Sequence, residues 1–501
     1  MKTRNNRLEN KQGGKQMVRL LGTMLCLIAA VGFVVSPAAA AVQNVKVSGD
    51  IALWGATRDN FDLKDTRGVD EASTSSIDEV SAITSQIRLR VDADLTDNVQ
   101  STIRLLNERA WDQQHSGTAA SDADEVVLDL GSFTLKEFLY SPLTLTLGRQ
   151  ELRYGNAFIL GDPDTNIISG GSAFGAAIQD LSIRKAFDAI KAVLDYNPLT
   201  IDLIFAKVDE NAVVLNDDVT LTGVNLKYAL ENNNTVLEGY YFGKSTGSGA
   251  AGIRTLTGLT AGDRRNKTEK VHTIGAKVST DPTEKLNLQA ETAYQFGSYD
   301  PTLDENSLPT AQTGNRSAWA AQVIGDYKFK TKYDPRLIGT YSYYSGEDNN
   351  RLSGDYNAWN PMFEDQTFGD IANKIFAPSN AHAFTVTAQA KPLDDLTASL
   401  TYAYFKLAKK LNYGGNFTGS GPNKPLLVPS GLDTATVGTT YNMVAGKSSL
   451  GHEVDLHLMY DYTEDVQFAL VTGIFLPGNA FAKPENRDPA TQALAMAKVT
   501  F

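Results

Sequence analysis

The sequence predicts an all-β protein: a transmembrane antiparallel β-barrel of about 18 strands over residues 42–501, behind a signal peptide at 1–41. Three observations predict it. The N-terminus has the layout of an export signal. The body alternates apolar and polar residues with period two. Short and long connections between the alternating segments succeed one another strictly.

The signal begins with a basic stretch, in which Lys2, Arg4, Arg7, Lys11, Lys15 and Arg19 face a single Glu9. An apolar run from Leu20 to Val35 follows, then Ser36-Pro37 and the alanines 38–41. Cleavage after Ala40 or Ala41 satisfies the small-x-small rule equally. Met17 also stands before a complete signal of its own, so either methionine suits as the start. Removal of 1–41 leaves 40 basic and 57 acidic residues, a net charge of −17. The only cysteine, Cys26, lies within the apolar run. The exported chain therefore has no thiol, and disulfides, thiolate metal centres and a cysteine nucleophile are excluded. Five histidines and a net acidic charge argue against a metal site, a cofactor or a nucleic-acid partner.

The strands are placed near 44–58, 80–95, 98–109, 126–139, 142–150, 187–196, 199–209, 218–230, 234–244, 269–280, 284–297, 316–329, 334–346, 380–391, 395–408, 450–462, 465–476 and 491–501. In Ile87-Arg-Leu-Arg-Val-Asp-Ala-Asp-Leu95 every odd position is apolar and every even one charged. In 454–462, Val454, Leu456, Leu458, Tyr460 and Tyr462 share one face, with Asp455, His457 and Asp461 on the other. A soluble sandwich alternates in the same way, so the connections decide. Turns such as Thr96-Asp97, Asn197-Pro198 and Thr463-Glu464 alternate with long segments such as 151–186, 347–379 and 409–449. That pattern puts short periplasmic turns at one end and long extracellular loops at the other, in the cell outer membrane. In hydrocarbon every backbone polar group needs an internal partner, so a spanning sheet must close. A barrel of 16–18 strands leaves a water-filled bore. Aromatic residues at strand ends, among them Tyr240-Tyr241-Phe242, Tyr402 and Tyr460, suit the two bilayer interfaces. The last strand ends on Phe501, which resembles the terminal signal read by the outer-membrane assembly machinery.

Two stretches carry a family resemblance. One is Leu147-Gly-Arg-Gln-Glu-Leu-Arg-Tyr-Gly-Asn156, containing Gly148, Arg149, Gln150, Tyr154 and Gly155. The other is Leu450-Gly-His-Glu-Val-Asp-Leu456, containing Gly451, His452, Glu453 and Asp455. Both resemble the alginate-export family of outer-membrane proteins. The resemblance implies an eighteen-stranded barrel and, after the family's namesake, a conduit for an anionic polysaccharide lined by basic residues. On a strand Glu453 and Asp455 share a face and His452 lies opposite, so no catalytic triad follows and no enzymatic activity is expected.

The residues themselves support a pore and leave its cargo open. Arg88, Arg90 and Arg104 fall on the predicted inner face, and Arg149 and Arg153 at the mouth of the fifth strand, where Gly148 is free to change the pleat phase. Asp92, Asp455, His457 and Asp461 fall on the same inner face. A cation track for carboxylates and Arg–Asp pairs that brace the wall fit this mixture equally. Loop 151–186, rich in glycine, suits either a fold into the bore or a surface excursion, and Ala176 to Ala192 has a faint helical phase. Loop 244–268, with Arg254, Arg264, Arg265 and Lys267, suits lipopolysaccharide or solvent; outer-membrane lipid surrounds the barrel in any case. Three readings stand: an exporter of anionic polysaccharide, a general or selective porin for small solutes, and a barrel sheathing a periplasmic partner.

Overall fold

The computed structural model describes residues 44–63, 79–111, 126–163, 180–209, 218–247, 268–299, 314–347, 355–376, 378–411, 415–418, 440–483 and 487–501. The predicted signal segment, residues 248–267 of the basic loop and residues 176–179 lie outside these. The strands, in chain order, are β1 (Asn44–Asp59), β2 (Glu79–Thr96), β3 (Val99–Ala110), β4 (Val127–Leu135), β5 (Leu143–Glu151), β6 (Ala186–Asp195), β7 (Leu199–Asp209), β8 (Val219–Leu230), β9 (Thr235–Thr246) and β10 (Glu269–Thr283). They continue as β11 (Leu286–Tyr299), β12 (Gly314–Lys328), β13 (Arg336–Tyr344), β14 (Ala381–Leu393) and β15 (Leu396–Leu407). A loop hairpin of β16 (Gly415–Thr418) and β17 (Thr440–Met443) follows, then β18 (Ser449–Asp461), β19 (Val466–Pro477) and β20 (Ala490–Thr500).

Each wall strand pairs antiparallel with its neighbours in the chain, and β20 returns to β1, with Ile51 opposite Val499. The result is a closed barrel of 18 strands. All eighteen expected strands are present, with ends moved by a few residues. The largest shift is at β4, which stops at Leu135 rather than near 139. The faint helical phase does not survive: Ala186–Asp195 is strand β6, held between β5 and β7.

The two faces of the wall separate as alternation requires. On β2, Ile83, Ile87 and Leu89 are exposed on the outside, while Thr84 and Gln86 are buried inside. The exposed outer residues form the apolar band that meets lipid. Near the outer ends of the strands that band carries aromatic rings. Tyr241, Tyr341 and Tyr402 each pair their hydroxyl with a histidine Nδ1, of His272, His382 and His452 at 2.7, 3.0 and 2.7 Å.

The outer half of the bore is filled by loops that turn inward. The β5–β6 loop (152–163) lies against the β13–β14 loop (355–376). Leu160 bridges Phe363 in parallel, Gly161 N–H donates to Phe363 O at 2.7 Å, and Phe363 N–H donates to Ile159 O at 3.1 Å. Their side chains make one buried apolar cluster with the inner wall: Phe158 stacks on Tyr344 at 5.3 Å, and Phe187 meets Phe363 edge-on at 5.8 Å. A second cluster gathers Leu63, Ile371, Ile375, Phe376, Phe405, Tyr441, Phe475 and Phe481. It spans the seam where the first and last strands meet. There Asn60 Nδ2 donates to Pro489 O at 3.2 Å, Asp488 N–H to Leu63 O at 3.2 Å, and Tyr441 Oη–H to Phe61 O at 2.8 Å.

Phe158 is wholly buried between Tyr344 and Trp359. Its replacement by alanine should cost the loop docking about 3–5 kcal/mol and leave the barrel closed. The variant should then migrate as a folded barrel on an unheated gel, yet be cut within 152–163 by a protease that the native protein resists. Equal resistance in both proteins would refute the inward docking.

Candidate functional site

The inward loops are held by carboxylates of the wall. Gly155 N–H donates to Glu238 Oε1 and Asn156 N–H to Glu291 Oε2, each at 2.9 Å, and Tyr240 Oη–H reaches Glu291 Oε1 at 2.8 Å. Tyr154 lies buried against Phe242. Gly155 has φ +59°, and a Cβ there would run into the Glu291 carboxylate. The family motif thus delivers two backbone amides to two wall acids, and its glycine leaves room for them. On the opposite wall, Glu453 is buried and accepts Ile371 N–H at 2.6 Å and Ala372 N–H at 2.8 Å. These amides open the helical turn Ala372–Ile375. Asp455 is buried beside Glu453, and His457 Nε2 pairs with Asp370 Oδ2 at 2.7 Å.

Ion pairs complete the frame. Asp180 is held between Arg58 at 2.7 Å and Lys374 at 3.0 Å. Burial alone would raise its carboxyl, but the Lys374 and Arg58 cations outweigh burial and hold it well below the usual carboxylate range. Asp365 is clasped by Arg153 and, at 2.5 Å, by Lys185. Burial again opposes the charge, and the two cations again keep its carboxyl low.

The arginines expected to line the pore are all engaged. Arg88 pairs with Asp50 at 2.7 Å, and Arg90 pairs with Asp92 at 2.7 Å while Thr102 donates to the same carboxylate. Arg104 lies between Asp129 and Glu151, both at 2.5 Å. Asp461 sits at the β18–β19 turn and accepts from Gln467 at 2.7 Å. Arg149 stands outside the pore. It is opposite Asp188 in the β5–β6 register and pairs with it at 2.7 Å. Asp188 lies between the buried Phe187 and Ala189, so its side of the sheet is the outer one. The pleat does not change phase at Gly148, because the pairing runs unbroken from Leu143 to Glu151. What Gly148 supplies is φ +114° and a close approach to the Gly131 carbonyl. Gln150 is the inward residue here, its amide donating to Ala189 O at 3.1 Å. Gly451, with φ +146°, lets β18 pass the ring of Phe475. His452 belongs to the outer aromatic band rather than the bore.

Lys191, Lys227 and Lys277 were not singled out from the sequence. Lys227, Glu238, Lys277 and Glu291 are successive register partners across β8, β9, β10 and β11, an alternating row on the inner face. Lys191 lies on the inner face of β6, near Asp202. Among the described residues none of the three lysines has a carboxylate within 4.0 Å. The signal that finds them is phase: each is a lone cation at an inward position among apolar neighbours, as in Ala189-Ile-Lys-Ala-Val193.

Because the folded-state pKa of Asp180 is depressed, its contribution is present above the unfolded value near 4 and is lost as pH falls through the lower folded value. Hydrogen-exchange protection of 180–185 should therefore persist in the native protein from pH 7 to about 4 and decline only below that. Asp180→Asn should expose the segment at pH 7 already. A native midpoint at or above pH 5 would contradict the assignment.

The family model for alginate export matches residues 57–493. No curated protein sequence matches the chain. Among solved structures, the fold is similar to OpdQ of Pseudomonas aeruginosa, at 11% identity over 92% of this chain and 98% of that one, with a TM-score of 0.50. It is similar in the same way to OccAB1 of Acinetobacter baumannii, at 9% identity over 92% and 97% with a TM-score of 0.50. It is also similar to OccK2 (OpdF) of P. aeruginosa, for which a complex with glucuronate has been solved, at 10% identity over 92% and 99% with a TM-score of 0.50. At these identities the likeness is one of fold. The family match, by contrast, runs along nearly the whole barrel, and the chain belongs to the alginate-export family of outer-membrane channel proteins.

Proposed function

We propose that the barrel passes anionic solutes bearing carboxylates, sugar acids or their polymers, along the wall that carries Lys191, Lys227 and Lys277. One observation carries this reading. Two of the wall carboxylates beside these lysines, Glu238 and Glu291, are engaged by amides of the docked loop, and among the described residues none of the three lysines has an acid within 4.0 Å. A carboxylate in the bore therefore meets ammonium groups that hold no direct ion pair with the wall. The wall of β1–β3 is different, since Arg88 and Arg90 are neutralised by Asp50 and Asp92. The bore so described is asymmetric, with a transverse field across it.

In this reading the protein performs no catalysis. Glu453, Asp455 and His457 hold a loop rather than activating a nucleophile. Phe501, hydrogen-bonded to Gly49 in both directions at 2.9 Å, serves as the mark for barrel assembly. Lipopolysaccharide and other outer-membrane lipid contact the outer face, and export or uptake is set by whatever partner supplies the solute on the periplasmic side.

The reversal potential of the refolded protein in a planar bilayer under a salt gradient tests this. The native channel should prefer anions. Replacing Lys191, Lys227 and Lys277 together by glutamine should lower the anion-to-cation permeability ratio by roughly threefold or more. Near-unity selectivity in the native protein would favour a general porin, and cation preference would refute the proposal.

A further inference from the structure

Asp365 has a different setting from the other acids that hold the docked loops. Its two carboxylate oxygens are divided between two cations from one loop: Lys185 Nζ takes Oδ1 at 2.5 Å and Arg153 Nη1 takes Oδ2. Two donors on two oxygens is the arrangement by which proteins recognise a free carboxylate. The side chains of Arg153 and Lys185 are 58% and 37% exposed, and that of Asp365 is 20% exposed. Water, and a solute in water, reaches both cations. The Arg104–Asp129 and Arg58–Asp180 pairs are buried by comparison.

We propose that Arg153 and Lys185 form a carboxylate subsite on the docked loops, that Asp365 fills it in the resting protein, and that a uronate entering the barrel displaces Asp365. This inference rests on the anion-pathway reading above. The exchange is chemically balanced without proton or electron transfer: one carboxylate leaves two cations and another takes its place. It does not require the loop to undock. The Asp365 backbone is anchored by its N–H to Ala157 O at 2.9 Å, and the adjoining Phe363 is anchored on both sides. The carboxylate leaves by side-chain rotation into water. Gly161 lies against the Asp365 side chain, where a Cβ would come within 2.6 Å of the Asp365 Cβ and 3.6 Å of Arg153 Nη1. A resident carboxylate lowers apparent affinity by the fraction of time the site stands open. It thereby keeps a passing uronate from binding so tightly that it stays.

The test uses the full-length refolded channel, with sodium glucuronate titrated as a blocker of chloride current in planar bilayers. Asp365→Asn keeps the shape of the side chain and removes the competing charge. The half-blocking concentration should fall about tenfold, and Arg153→Gln added to it should abolish the gain. In the native background, Arg153→Gln and Lys185→Gln should each raise the half-blocking concentration. These two variants decide the matter if Asp365→Asn does not refold, since native-level block in both would overturn the subsite. An unchanged or higher half-blocking concentration in folded Asp365→Asn would make Asp365 a brace between loops. The anion pathway would survive that result provided the lysine substitutions still reduce anion selectivity. Loss of neither block nor selectivity in any variant would refute both.

Discussion

Every feature of this molecule follows from one constraint: backbone N–H and C=O groups inside a bilayer have no water to bond. The wall answers by pairing each strand with both neighbours and by returning β20 to β1. Once the wall is closed, alternation assigns residues to lipid or bore, and the bore inherits every charge the strands carry. Inside it, the arginines stand in short-range pairs with acids, and Glu238, Glu291 and Glu453 accept backbone amides of the loops. The loops need partners for those amides, and the wall needs counter-groups for its carboxylates. Each supplies what the other lacks.

The strands were legible in the sequence because their period is local. Eighteen alternating segments and the order of short and long connections are enough to close the barrel, and the match is within a few residues at most ends. The same period sets Arg88, Arg90, Arg104, Asp455 and His457 opposite the lipid-facing positions, but it does not name their partners. Whether Arg104 meets Asp129 depends on the β3–β4 bulge, and whether Asp365 meets Arg153 depends on two loops more than 200 residues apart in the chain. Arg149, at the mouth of the fifth strand, stays outside the bore because the register with β6 runs unbroken past Gly148.

The loop interior was half legible. Glycines in 151–186 said that the backbone turns sharply there. The apolar run Ala157-Phe-Ile-Leu160 and the Trp359, Met362 and Phe363 side chains said more, because such residues in an extracellular loop need somewhere to hide from water. Read together, they point into the bore. The three inner-face lysines were within reach of the same strand phase that found the arginines. A lone lysine between apolar neighbours has no motif to mark it.

The seam between β1 and β20 has a consequence in time. The bonds that bridge it above the membrane join residues 60–63 to 488–489, and the cluster around them includes side chains near 371, 405, 441 and 475. The bonds between 60–63 and 488–489 can form only when the two ends of the chain have met. Those bonds are therefore a latch that reports on both termini at once: it is shut only in a chain whose first and last strands lie side by side.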